Sequence, residues 1–196
     1  IAERIEIVSK EDSCLAMSLA VGRGICFIGA SLNEIKPDIL LVLGDRYETL
    51  AGTISASYLN IPVAHIHGGD SARAGLDESA RHAITKFAHV HFPATDKSAE
   101  RILKLGEDPW RIFEVGAPAL ETILNMRFLS KGILNKKYDI DLEKPLIIVL
   151  QHSVTTQAEE AGMQIRETLE AIRELEYQTI ILYPNVDVGG REIIKH

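Results

Sequence analysis

From Pro37 onward, short apolar runs alternate with segments of helical periodicity, and this alternation limits the possible folds more than any other feature. The runs are DILLVLGD, IPVAHIHGG, VHFPAT and RIFEVGAP, each followed by a helical segment such as RYETLAGTISASYLN or DESARHAITKFAH. Strands and helices interleaved in this way predict right-handed βαβ crossovers and a parallel sheet covered on both faces. The continuous apolar stretch ILLVL is typical of a strand buried on both sides. The sequence therefore predicts an α/β fold with a Rossmann-like, three-layer domain.

A lysine-rich polar segment interrupts this alternation and predicts a domain boundary. The segment SKGILNKKYDIDLEKP ends at Pro145, and strand–helix alternation restarts after it with PLIIVLQH. We expect a first domain over residues 1–130, a linker over 131–145 and the start of a second Rossmann-like domain over 146–196. Because the chain begins with Ile1 and stops within what reads as an opening helix, we interpret it as a piece of a longer protein.

Charge and hydropathy exclude several classes of partner. The 196 residues carry a formal net charge of −7. No basic stripe offsets this charge, which argues against a nucleic-acid partner. No apolar run approaches the roughly 20 residues that span a bilayer, and the acidic start IAERIEIVSKED does not resemble a secretory signal. We therefore expect a cytoplasmic protein with no membrane partner.

The segment before Pro37, SCLAMSLAVGRGICFIGASLNEI, predicts a helix with a break at Gly22 and Gly24. Its two cysteines, Cys14 and Cys26, lack metal-ligand spacing. We interpret both as small core residues of a reducing compartment, because a chain of this length can bury a core without disulfides or metals.

Ionisable residues follow the carboxyl ends of several predicted strands. Asp45 follows the first strand, His67 and Asp70 follow the second, and His152 follows the first strand of the second domain. Ligands of open parallel sheets bind beyond these ends, so this edge is predicted to hold a polar ligand. Taken alone, Asp45 fits a structural role in a turn or helix cap as well as it fits a role in the site. His152 likewise fits a structural position beside a helix cap. The convergence of Asp70 and Glu78 on the same edge favours a functional site.

The stretch HIHGGDSARAGLDESARHAITK crowds titratable groups around a glycine pair that permits a sharp turn. Asp77 is predicted to cap the following helix. One stripe of that helix carries Glu78, Arg81, His82, Thr85 and His89, and the opposite stripe carries Ala80, Ala83, Ile84 and Phe87. The apolar stripe is expected to pack inward, which directs Glu78, Arg81 and His82 towards the crevice. The alternative is a solvated helix face with surface ion pairs.

His65, His67 and Asp70 form the pattern H-x-H-x-x-D, which suggests metal ligands as another interpretation. A zinc site needs further ligands, and no paired His/Cys motif supplies them. We therefore expect no metal, a structural role for His65 within the strand, and a role in the site for His67 at the strand end.

Several blocks of the sequence together resemble the UDP-N-acetylglucosamine 2-epimerases. The blocks are PDILLVLGDRYETLA, NIPVAHIHGGD, DESARHAITKFAHVHFPAT, VGAPALE, LQHSVTT and LYPNVDVGG, in this order from about residue 14 to the C-terminus. They are most similar to the hydrolysing branch, which forms N-acetylmannosamine for sialic-acid-type sugars. The resemblance implies a GT-B-like architecture of two Rossmann-like domains, here with the first strand absent and the second domain truncated.

The resemblance also implies a reaction. UDP leaves by anti elimination to give a 2-acetamidoglucal, which water then attacks. Asp45, Asp70 and Glu78 are the implied proton-transfer residues, and His67, Arg81, His82 and His152 are the candidates for binding the UDP-sugar. A homodimer without metal or organic cofactor is expected.

Non-hydrolysing relatives carry a glutamate at the position of His67, which favours the hydrolysing branch. Many hydrolysing members carry a glutamate at the position of Asp70, where this chain has the shorter aspartate.

Because the first strand and most of the second domain are missing, we expect this piece alone to fold without activity. Three alternatives remain. The first is a glycosyltransferase of similar architecture, the second is a non-hydrolysing 2-epimerase, and the third is a non-catalytic α/β binding module.

Overall fold

Two separate parallel sheets organise the part of the chain that the computed structural model describes, residues 3–7, 11, 13–72 and 75–196. The strands are Leu40–Leu43 (β1), Val63–Ile66 (β2), Val90–Phe92 (β3), Leu146–Leu150 (β4) and Gln178–Leu182 (β5). The α-helices are Cys14–Ile35 (α1), Tyr47–Tyr58 (α2), Gly75–Phe87 (α3), Asp96–Lys104 (α4), Pro118–Asn125 (α5), Lys131–Tyr138 (α6), Ala161–Leu175 (α7) and Gly190–Ile194 (α8). All the strand pairs are parallel, which confirms the predicted α/β class.

The chain divides into two compact units, Ile1–Thr122 and Ile123–His196. Helix α6 occupies about half of the segment that the sequence suggested as a linker, residues 131–145. Ser130 caps this helix, since its hydroxyl accepts a hydrogen bond from the backbone N–H of Ile133, and Asp139 ends it in the left-handed conformation. The lysine-rich composition suggested a linker, although the segment contains a short helix with a side-chain cap at its start.

The first unit contains a sheet in the order β1-β2-β3. Leu40 lies opposite Val63, and Ala64 lies opposite Val90. The predicted fourth strand, RIFEVGAP, does not form a regular strand. It continues the sheet beyond β3 through one bridge between Ile112 and His91, and through hydrogen bonds such as that from the N–H of Val115 to the carbonyl of Pro93 (3.1 Å).

The core of this unit lies between the sheet and helices α1, α2 and α3. Its buried residues are Leu32, Val42, Ala56, Ile61, Val63, Ile84 and Ala88. The expectation that β1 is buried on both faces was wrong, because Leu41 and Leu43 are each 58% exposed. They alternate with Val42, so one face of β1 packs on the core and no described residue covers the other.

Helix α1 runs without interruption, so the predicted break at Gly22 and Gly24 was wrong. Gly24 lies where α1 crosses α2, and a Cβ atom there would come within 2.9 Å of the Cβ of Ala51. The glycine permits close helix packing instead of breaking the helix. Cys14 and Cys26, expected in the core, are both free and exposed on this helix.

The expectation of no apolar segment near the length of a membrane span was also wrong. Helix α1 has 22 residues and is long and apolar enough to cross a membrane, judged by length and composition alone. Within its most apolar window, 28% is buried. Buried helices of soluble proteins pass the same test. Here α1 packs on α2, where the Ser55 hydroxyl donates a hydrogen bond to the Ile25 carbonyl (3.0 Å).

The loop after β2 is held against helix α4. Gly69 has φ +76°, and a Cβ atom there would overlap the carbonyl oxygen of Ser98. Arg101 donates a hydrogen bond to the Gly69 carbonyl (2.6 Å). Only glycine fits both the left-handed backbone and this close approach.

A Gly69→Ala substitution is therefore expected to lower the free energy of unfolding by more than about 2 kcal/mol, since backbone strain and a backbone clash add. Gly106→Ala is the matched control, because Gly106 has φ +88° and a Cβ atom there would meet no other atom within 4 Å. It should cost about 1 kcal/mol. Urea denaturation of both variants measures the difference, and equal losses would contradict the contact with α4.

Burial also fixes the charge state of His65, which is fully buried in β2. Desolvation lowers its pKa from 6.5 to about 4, although its hydrogen bond to the Gly44 carbonyl opposes this shift. The unfolded chain therefore binds more protons than the folded chain between these pH values, and stability falls as the pH falls through them.

The expected loss from His65 between pH 6.5 and pH 4 is about 3 kcal/mol. His65→Gln should flatten the pH dependence of the free energy of unfolding by that amount. Denaturant titrations at both pH values test this, and parallel slopes for wild type and His65→Gln would refute it.

Candidate active site

The site lies at the carboxyl edge of the β1-β2-β3 sheet, where three consecutive segments meet. Asp45 follows β1, His67 and Asp70 follow β2, and Glu78 lies in the first turn of α3. Parallel strands bring their carboxyl ends to one edge, so residues distant in sequence become neighbours there.

A buried ion pair joins the first and third segments. Arg81 donates a hydrogen bond from Nη2 to the Asp45 carboxylate, and its Nη1 lies 3.9 Å from Oε2 of Glu78. Arg81 is 9% exposed, and burial lowers the pKa of its guanidinium. Within the described part of the chain, its Nε and Nη1 have no hydrogen-bond acceptor. Both nitrogens are buried, and buried donors without an acceptor are rare in folded proteins.

Glu78 connects helix α3 to the loop after β2. Its Oε1 accepts a hydrogen bond from the Ser71 hydroxyl (2.9 Å), and its Oε2 accepts one from the backbone N–H of Ala72 (2.7 Å). The Nε2 atom of His82 lies 3.4 Å from Oε1 of Glu78, one helical turn away. Glu78 therefore holds the loop at the start of the helix.

The second segment carries a hydrogen-bonded histidine–aspartate pair. Nδ1 of His67 lies 2.8 Å from Oδ2 of Asp70, and the Ser98 hydroxyl donates to Oδ1 of Asp70 (2.6 Å). His67 has φ +64°, a conformation that non-glycine residues adopt rarely and that clusters at functional sites.

The structure therefore brings six of the seven sequence-predicted site residues onto one edge. Asp45 contacts Arg81, Arg81 lies beside Glu78, and Glu78 bonds Ser71, the neighbour of Asp70 in the chain. Asp45 and Glu78 are thus linked through Arg81, whereas the Asp70 carboxylate contacts His67 and Ser98.

The predicted stripe of α3 needs correction at several positions. Thr85, predicted on the crevice side, is fully buried and contacts Nδ1 of His65 (3.2 Å). The helix ends at Phe87, so His89 lies beyond it, and Phe87, predicted to face inward, is 38% exposed. Asp77 lies inside the first turn and is not the cap. The helical-wheel prediction failed at Thr85 because β2 contributes a polar side chain, that of His65, to the contact with α3.

His65 and His67 have different partners, so they do not converge on one point. Nε2 of His65 bonds the Gly44 carbonyl (2.8 Å), directly before Asp45, whereas His67 bonds Asp70. Among the residues that the structure describes, no group of three or more His, Cys, Asp or Glu side chains is arranged to hold a metal ion.

His152, the seventh predicted site residue, lies in the second unit at the end of β4. Its Nδ1 accepts a hydrogen bond from the backbone N–H of Asn185, at the end of β5 (3.0 Å). The side chain of Asn185 in turn donates to Asp187 (2.6 Å). Two strand ends of this unit are therefore joined through His152.

Sequence reasoning missed Ser98 and Arg101. Both lie on α4, where Ser98 bonds Asp70 and Arg101 bonds the loop carbonyl of Gly69. Their only sequence signal was the capping pattern TDKS, in which the Thr95 hydroxyl accepts a hydrogen bond from the N–H of Ser98. That pattern predicts a helix start but not a contact with another loop.

Comparison with known proteins agrees with the resemblance. A sequence model of the UDP-N-acetylglucosamine 2-epimerase family matches residues 1–196. A protein of Legionella pneumophila named UDP-N,N'-diacetylbacillosamine 2-epimerase (hydrolyzing) is 38% identical over 184 residues, 92% of this chain and 48% of that protein. Polysialic acid biosynthesis protein P7 of Escherichia coli is 36% identical over 155 residues, 78% of this chain and 39% of that protein.

The fold agrees as well. The crystal structure of Methanocaldococcus jannaschii UDP-GlcNAc 2-epimerase in complex with UDP-GlcNAc and UDP matches with a TM-score of 0.74 at 20% identity, over 91% of this chain and 50% of that one. The chain spans about half the length of the relatives it matches. The family match over all its residues shows that the chain belongs to the UDP-N-acetylglucosamine 2-epimerase family.

Proposed function

We propose that the full-length gene product is a hydrolysing 2-epimerase. It converts UDP-N-acetylglucosamine and water to N-acetylmannosamine and UDP, for the synthesis of sialic-acid-type sugars. The observation that carries this proposal is the buried Arg81, whose guanidinium holds the Asp45 carboxylate and lies beside Glu78. A cation and carboxylates on one sheet edge suit a reaction in which a diphosphate leaves while protons move.

The proposed chemistry has two steps. In the first, a base removes the proton at C2, the electron pair of the C–H bond forms a C1–C2 double bond, and the bond from C1 to the UDP oxygen breaks. In the second, water adds across the double bond, with its hydroxyl at C1 and a proton delivered to C2 from the opposite face. The net result is inversion at C2 and release of UDP.

The side chains divide these tasks. Asp45, Asp70 and Glu78 supply the acid and base functions, each worth about 10²–10⁴-fold in rate. Arg81 stabilises the charge of the departing diphosphate, and His67 and His82 contact the sugar or phosphates. The proposed role of His152, in the second unit, is to contact a phosphate or sugar group.

A second substrate fits the same chemistry. The Legionella pneumophila relative is named for UDP-N,N'-diacetylbacillosamine, and it is 38% identical to this chain. The same elimination and hydration apply to that sugar, because both substrates carry the leaving UDP at C1 and an acetamido group at C2. We also propose a cytoplasmic homodimer as the working form, as expected for the family.

Incubation of the full-length gene product with each UDP-sugar in D₂O tests the reaction. We expect release of UDP without any acceptor, and deuterium at C2 of a free 2-epimeric sugar. Release of UDP only with an added acceptor would instead identify a glycosyltransferase. A product that keeps its UDP would identify a non-hydrolysing epimerase, and no turnover with either sugar would support a binding module.

Asp45→Asn and Glu78→Gln test the site. Each should lower kcat by about 10²–10⁴-fold, measured at a temperature at which circular dichroism shows that the variant is folded. Glu143→Gln is the control, since the side chain of Glu143 is 74% exposed and pairs with Lys131 in the second unit. Wild-type turnover by Asp45→Asn and Glu78→Gln would refute the assignment.

A further inference from the structure

The two histidines at the end of β2 differ in how their ring nitrogens are engaged. His65 is fully buried, and both of its nitrogens contact neighbours, Nε2 the Gly44 carbonyl and Nδ1 the Thr85 hydroxyl. The side chain of His67 is 27% exposed, and its Nδ1 faces Asp70. His65 therefore has the contacts of a structural histidine, whereas His67 can present its Nε2 to a ligand.

The Asp70 carboxylate determines which nitrogen of His67 carries the proton. A carboxylate only accepts hydrogen bonds, so the 2.8 Å contact requires that Nδ1 of His67 donates to it. In the neutral ring, Nε2 then holds the lone pair. A carboxylate in this position fixes the tautomer of an imidazole and stabilises the imidazolium that forms when Nε2 takes up a proton, as in the serine proteases.

The carboxylate is itself held by a buried partner. Ser98 is 2% exposed, and its hydroxyl donates to Oδ1 of Asp70, so each oxygen of Asp70 has a separate donor. Thr95 fixes Ser98 in the first turn of α4, and Arg101 fixes the same loop at the Gly69 carbonyl. Because both of its oxygens have partners, the Asp70 carboxylate is held in one orientation towards His67.

We propose that His67 is a proton-transfer residue of this site, with Asp70 and Ser98 as positioning residues that act through it. This inference rests on the proposed function, and it specifies how Asp70 takes part: through the imidazole. In the elimination, Nε2 of His67 accepts the C2 proton, the C–H electron pair forms the C1–C2 double bond, and UDP leaves with the electrons of its bond to C1. Asp70 then faces an imidazolium.

The tautomer of His67 can be measured in the protein without substrate. Long-range ¹H–¹⁵N correlation spectra of ¹⁵N-histidine-labelled protein should show the proton of neutral His67 on Nδ1. Asp70→Asn should move that proton to Nε2, because Oδ1 of the amide accepts from Ser98 and its NH₂ group then faces the ring. A wild-type ring protonated on Nε2 would overturn the proposal.

The kinetics of the full-length gene product distinguish a catalytic role of His67 from a structural one. His67→Gln should lower kcat by about 10²–10⁴-fold and abolish solvent deuterium incorporation at C2, with KM changed only a few-fold. Asp70→Asn should cause a similar loss, and Ser98→Ala a loss of about 10-fold in kcat. His67→Glu, which supplies another base, should recover part of the rate. His89→Gln is the matched control and should keep wild-type kinetics.

The outcomes distinguish this inference from the proposed function. A wild-type enzyme that turns over UDP-sugars, together with a His67→Gln variant within a few-fold of it, overturns the role of His67 and leaves the proposed function standing. A wild-type enzyme that turns over neither UDP-sugar overturns both.

Discussion

The ion pair between Arg81 and Asp45 is the constraint on which the rest of the site depends. Arg81 is 9% exposed, and removing one partner of a buried pair costs about 3–5 kcal/mol because an uncompensated charge remains. The pair joins the end of β1 to helix α3, and α3 in turn holds the loop after β2 through Glu78. A local charge contact thus sets the spacing of three separate segments.

A second set of contacts holds the same edge from the other side. Helix α4 contacts the loop after β2 at Gly69 and at Asp70, while buried His65 bonds the carbonyl before Asp45. The chain carries a formal net charge of −7, so an anionic ligand must be attracted locally. Arg81 supplies a positive charge at this edge, where it lies between the Asp45 and Glu78 carboxylates.

Much of the first unit could be predicted from sequence. Alternating apolar and helical segments indicated the parallel α/β class, and the order of strands and polar residues placed Asp45 and Asp70 at the carboxyl edge of the sheet, where the structure has them. The errors have physical causes. Periodicity treated Gly24 as a helix breaker, although the residue allows α1 to approach Ala51 closely. It also assigned Phe87 to the interior, although the last turn of α3 leaves this ring 38% exposed.

The sequence by itself determined the strand–helix alternation, the residues at the strand ends and the family, because these depend on local order and on residue identity along the chain. Only the tertiary structure decided that Arg81 pairs with Asp45, that Ser98 bonds Asp70, and which nitrogen of His67 faces a carboxylate. These contacts join residues 36 and 28 positions apart in the first two cases. Hydrogen-bond partners depend on distances of a few tenths of an ångström between separate elements, and no spacing along the chain encodes them.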